Sequence, residues 1–164
     1  SSDMQVRQAL IAITNDARGW LKAWAQDFDQ SEATNSGGTR TNPVAWQLGH
    51  IAATQDDVYM LFTGKPGAVA ADLRAVCGNS CPEPTAATRY PRLAALWEHL
   101  GRTHAQLVGL VEQSSDADLD RPPLQENPFF KSLGQSVYEI ALHEGYHVGM
   151  VATLRKALGK KKIG

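Results

Sequence analysis

Apolar residues recur at intervals of three and four in four separate stretches of this chain, and no stretch alternates apolar and polar side chains convincingly. A helix turns once in about 3.6 residues, whereas strand side chains repeat every two, so such a chain buries its apolar surface as packed helices. The first helix is expected from about Asp3 to Asp27, with Val6, Leu10, Ile13, Ala17, Trp20, Leu21, Trp24 and Phe28 as its inward stripe. A polar loop from Gln30 to Thr41 follows. The second helix opens at Asn42-Pro43 and stops at Gly64, with Val44, Leu48, Ile51, Val58 and Phe62 inward. A third is expected from about Pro91 to Gln113, turning Leu93, Leu96, Trp97, Leu100, Leu107 and Val111 to the core. The fourth begins at Ser132, where Ser132 and Gln135 make a capping-box pattern, and ends at Gly159.

The connections after the second and third helices are long and rich in Gly and Pro, as crossovers in a bundle require. The expected fold is therefore an all-α four-helix bundle with long crossover loops, one domain over residues 1–164. Met4 reads as the natural start, with Ser1-Ser2-Asp3 a cloning remnant.

Sixteen Lys plus Arg against 17 Asp plus Glu leave a net charge of −1, which offers no broad footprint for nucleic acid or an anionic membrane. The basic run Lys160-Lys161-Lys162 reads as a solvated tail that complements a helix C-terminus. No stretch approaches the ~20 apolar residues of a membrane span. Cys77 and Cys81 are too few for a disulfide scaffold, so free thiols and a cytoplasmic location are expected, with no role assigned to either cysteine.

His143 and His147 carry the sharpest chemical signal. Positions four apart on a helix lie about 40° apart around the axis and roughly 6 Å along it, so both imidazoles reach one ion. The run from His143 to His147 also reads as H-E-x-x-H, the zinc-protease helix. That arrangement takes its third ligand from further down the chain, yet no His, Asp, Glu or Cys follows His147. A protease of that type is therefore not expected, and the third ligand must lie upstream. His99 is offset from the inward face of its helix; on geometry alone His50 and His104 compete.

The segment Asn42-Pro43-Val44-Ala45-Trp46-Gln47-Leu48-Gly49-His50 resembles the W-x-x-x-H segment of the DinB/YfiT-like proteins. The segment His143-Glu144-Gly145-Tyr146-His147-Val148-Gly149-Met150, continuing to Leu154-Arg155-Lys156-Ala157-Leu158-Gly159, is similar to their H-E-x-x-H-x-G-Q…L-R-x-x-L-G ending. Ala117-Asp118-Leu119-Asp120-Arg121-Pro122 shares the family's look. The resemblance implies a four-helix bundle with one divalent metal on His50, His143 and His147, leaving His104 as a core or supporting residue. One departure is that the family's usual Gln is Met150 here, which bears on substrate chemistry more than on the metal. Characterised members include transferases that use bacillithiol, mycothiol or glutathione, others are labelled hydrolases, and most pair as homodimers. The resemblance thus implies a metal-dependent enzyme acting on a thiol and a small-molecule electrophile. The alternatives are a non-catalytic metal-binding or stress-response bundle and a hydrolase.

Three neutral imidazoles leave an ion its full positive charge, so a water or thiol in an open position would lose its proton readily. Zn, Ni, Fe and Mn all accept imidazole. Ligating imidazoles need acceptors behind them; Gln47, Thr54 and Asp57 share the His50 side, and Glu139 precedes His143 by one turn. Glu144 has two readings, a general base on bound water and a salt-bridged carboxylate. Trp46, one turn from His50, is either a wall of the site that contacts a bound cofactor or a core residue. Phe129 and Phe130 either close a mouth of the pocket or anchor a loop.

Overall fold

Each expected long helix is present, trimmed to the residues its end signals allow. The computed structural model describes residues 5–163. It contains α1 (Val6–Ala25), α2 (Gln30–Ala33), α3 (Val44–Thr63), α4 (Ala71–Cys77), α5 (Leu93–Glu112), α6 (Asp116–Leu119) and α7 (Leu133–Ala157). No strand occurs among the described residues. The expected start of the first helix at Asp3, and the reading of Met4, fall outside them. Pro43 stands at the N-cap of α3, and Gly64 ends it in the left-handed region at φ 68°, where a Cβ would be strained. Ser132 caps α7 by accepting from the Gln135 amide. The reciprocal half of that expected box is missing, because the Gln135 side chain accepts from Lys131 N instead. The three short helices lie in the connections, too brief to show a period in the sequence.

The long helices form a ring in the order α1, α7, α3, α5. Leu10 meets Gly134 near the start of both α1 and α7, and Arg155 reaches the Trp24 carbonyl near their ends, so these two run parallel. His50 and His143 meet midway and Gln47 meets His147, so α3 and α7 are antiparallel. Two parallel neighbours, α3 and α5, cannot be joined by a tight turn; residues 64–92 make that crossover and carry α4 along the flank of α3. The core divides into two apolar clusters. One holds Leu21, Val44, Leu48, Leu96, Leu100 and Leu154, and the other Leu10, Val58, Phe62, Leu107, Val111 and Leu133.

The expected inward stripe of α3 is buried throughout. That of α1 is not. Val6, Ile13 and Trp20 face solvent, and the buried face instead runs Leu10, Thr14, Arg18, Leu21 and Ala25. The helix has turned because Arg18 is drawn inward between the two clusters. Its guanidinium donates to both carboxylate oxygens of Glu144 on α7, at 3.3 and 3.0 Å, to Gln55 Oε1 on α3 at 3.0 Å and to the Leu100 carbonyl on α5 at 2.6 Å. Thr103 donates to the same Gln55 oxygen at 2.8 Å. One polar layer therefore ties all four long helices together. Burial pushes the Glu144 carboxyl up, against the opposing pull of Arg18.

Breaking one partner of such a pair strands a buried charge, whereas removing both leaves an apolar gap that neighbours can fill. Arg18→Ala is expected to cost about 3–5 kcal/mol in urea unfolding, and the pair Arg18→Met with Glu144→Leu much less. Equal losses in both would show that side-chain volume, rather than charge, matters at this layer.

Candidate metal centre

The antiparallel approach of α3 and α7 brings three imidazoles from two helices to one point. His143 Nε2 lies 3.2 Å from His50 Nε2 and 3.0 Å from His147 Nε2. Each ring offers a nitrogen within 4.8 Å of the other two, and no other such group of His, Cys, Asp and Glu occurs among the described residues. Metal–nitrogen bonds of 2.0–2.1 Å in tetrahedral array place their donor atoms ~3.3 Å apart, so these three side chains are able to hold a metal ion.

The atoms behind the rings decide which nitrogen is free. His50 Nδ1 is 2.8 Å from the Cys77 carbonyl, which can only accept, so the proton sits on Nδ1 and the Nε2 lone pair faces the other rings. His147 Nδ1 meets Gln47 Oε1, with the same result, and the Gln47 amide is itself oriented by donating to the Asn42 carbonyl at 3.0 Å. Two inward lone pairs facing a third ring nitrogen repel one another unless a cation or a proton stands between them. A second proton on any of the rings, which would make it an imidazolium, is disfavoured there. Burial lowers all three imidazoles: His50 in spite of its bond to Cys77, His143 to about 4 with the charge of His50 adding, and His147 to about 3 with His143 and His50 adding. The donors are thus neutral at pH 7, as coordination requires.

Close packing of α4 makes the Cys77 contact available. A Cβ on Gly49 would stand 2.6 Å from Cys77 Sγ and 3.0 Å from Leu73, so only glycine permits the approach. Trp46 stacks on His50, with ring centroids 4.5 Å apart and planes 12° from parallel. The three histidines open onto a cavity of about 500 Å³, also lined by Arg40, Trp46, Glu83, Tyr146 and Met150.

Of the other residues named from the sequence, Gln47 supports a ligand, although that ligand is His147 rather than His50. Thr54 bonds its own helix at the His50 carbonyl, Asp57 pairs with Arg74, and Glu139 is exposed. Glu144 is buried, with both oxygens held by Arg18 and no part in lining the cavity. His104 bonds Asn15 on α1 at 2.8 Å, away from the other histidines, which resolves its competition with His50. Phe129 is solvent-exposed and Phe130 packs on the second apolar cluster, so neither closes the cavity. Four contributors carry no signal in the sequence. The carbonyl of Cys77 has no side-chain signature, Arg40 and Glu83 arrive on loops, and Tyr146 occupies an unconstrained position between the two histidines.

A sequence model described as the DinB superfamily matches residues 7–151. Among solved structures the chain is similar to a conserved protein from Enterococcus faecalis, at 15% identity and a TM-score of 0.73, covering 96% of this chain and 100% of that one. That likeness shows the fold. No curated protein matches.

Loss of the groups that orient a metal-ligating imidazole commonly weakens affinity by about 10–100-fold. Gln47→Ala, through His147, and Gly49→Ala, through displacement of α4 and the Cys77 carbonyl, are each expected to weaken zinc or nickel binding by that order in isothermal titration. Helical circular dichroism should stay unchanged. Wild-type affinity in both would show that these contacts do not organise the donors.

Proposed function

This chain belongs to the DinB superfamily, and on that premise we propose that it is a metal-dependent enzyme of the thiol-transferase type, holding one divalent ion on His50, His143 and His147. The observation that carries the reading is the set of three neutral nitrogen donors at the wall of an open cavity, with no fourth His, Cys, Asp or Glu in the group among the described residues. Structural sites are usually closed by four protein ligands, and catalytic ones keep a position free. When bound, the ion supplies a Lewis acid that favours the thiolate form of a low-molecular-weight thiol entering that position. Zn, Ni, Fe and Mn remain candidates.

The protein's own part is positional. The histidines ligate and do not transfer protons, since their inward nitrogens are committed. Trp46 holds the ring of His50 flat and forms the wall against which a bound thiol lies. Tyr146 and Met150 bound the mouth, where the electrophilic small molecule would meet the thiolate. Hydrolysis with Glu144 as the base would require its carboxylate over bound water, and the engagement of Glu144 with Arg18 favours thiol transfer over that route. We also propose a homodimer. Val6, Ile13 and Trp20 on α1, and Tyr138 and Leu142 on the parallel neighbour α7, are large apolar side chains left exposed. No described helix is long and apolar enough to cross a membrane, and the free cysteines suit the cytoplasm in which we place the protein.

Metal-loaded protein incubated with bacillithiol, mycothiol or glutathione and a chlorinated or epoxide acceptor should give the conjugate by mass spectrometry. His50→Ala should lose both the metal and the conjugate. Tight metal binding without conjugation by any of the three thiols would leave the non-catalytic bundle as the better reading. In sedimentation, Ile13→Asp with Leu142→Asp should shift a dimer to a monomer; an unchanged mass would place the contact elsewhere.

A further inference from the structure

The cavity at the histidines does not end there. Arg40, Thr41, Asn42 and Glu83 line it, and the same four residues line a second, larger cavity of about 740 Å³ between the α2–α3 loop and the α4–α5 loop. The two share that wall and lie side by side as two lobes, with the histidines lining the smaller one. Arg40, Arg89 and several Thr and Ser hydroxyls line the second lobe, against a single carboxylate, Glu83. The lining is thus rich in donors and net positive. Neither arginine makes an ion pair among the described residues. Arg89 bonds only the nearby carbonyls of Ala86 and Thr88, which leaves its charge uncompensated. Each lobe also carries a buried donor with no partner among the described residues: Trp46 Nε1 in the first and the Tyr90 hydroxyl in the second. Both lobes fall in the size range of small-molecule sites.

We propose that the two lobes bind a single elongated ligand, a thiol whose sulfur end lies at the histidines and whose anionic, carboxylate-bearing tail is read by Arg40, which lines both lobes, and by Arg89 in the second. This rests on the thiol-transferase reading for the sulfur end; the tail is read from the second lobe alone. The arginine fork suits a carboxylate, and two charge-assisted pairs at exposed arginines such as these together change affinity by about tenfold. A neutral tail would leave both arginines as they are and gain only hydroxyl contacts.

The test compares two thiols of equal length that differ only at the far end, 6-mercaptohexanoate and 6-mercaptohexanol. Each is titrated into the cobalt-loaded full chain while the thiolate-to-cobalt charge-transfer absorption is followed. The acid should bind about tenfold tighter than the alcohol. Arg40→Ala and Arg89→Ala, both at exposed positions, should each shrink that preference while affecting the alcohol far less. Equal affinities for acid and alcohol in the wild type, or a preference that survives both substitutions, would overturn the tail assignment and leave the thiol reading standing. Absence of the absorption with either thiol would overturn both together.

Discussion

The arrangement turns on the buried ion pair between Arg18 and Glu144. It crosses the bundle between its two apolar clusters and, through Gln55, Thr103 and the Leu100 carbonyl, engages every long helix. Apolar contacts alone are tolerant of rotation, since a helix with apolar residues on several sides can settle in more than one way. A guanidinium with four directed bonds is not. It holds α1 with Thr14 and Arg18 inward and leaves Ile13 and Trp20 outside, against what the apolar spacing of that helix favours.

The same pair sets the rotation of α7. Neighbouring residues on a helix point about 100° apart, so turning Glu144 toward α1 directs His143 and His147 toward α3. The metal-binding geometry therefore depends on a residue that takes no part in it. In the H-E-x-x-H pattern of a zinc protease the glutamate works on bound water; here the same letter anchors the helix that presents the histidines. The contrast shows how little a short motif settles until the neighbours of each position are known.

A second dependence runs through α4. Its close approach at Gly49 brings a main-chain carbonyl to His50, and the crossover that contains it continues into the loop bearing Glu83 and Arg89. The long connection between parallel neighbours, needed for topological reasons, thus also supplies an orienting group for one donor and one side of the adjoining cleft.

The four long helices, their approximate ends and the apolar face of α3 were legible in the amino-acid sequence, because they follow from local periodicity and from residues such as Pro43, Gly64 and Ser132 that act on the backbone beside them. The pairing of His143 with His147 was legible for the same reason, being a matter of spacing on one helix. The choice of His50 over His104 was not readable from spacing, since it depends on which helices become neighbours; family resemblance pointed to it, and the α3–α7 contact decided it. Only the tertiary structure could assign Glu144 to Arg18, the Cys77 carbonyl to His50 and Arg40 to the cleft. Those are meetings between distant segments, and long-range directed bonds leave no period in a chain.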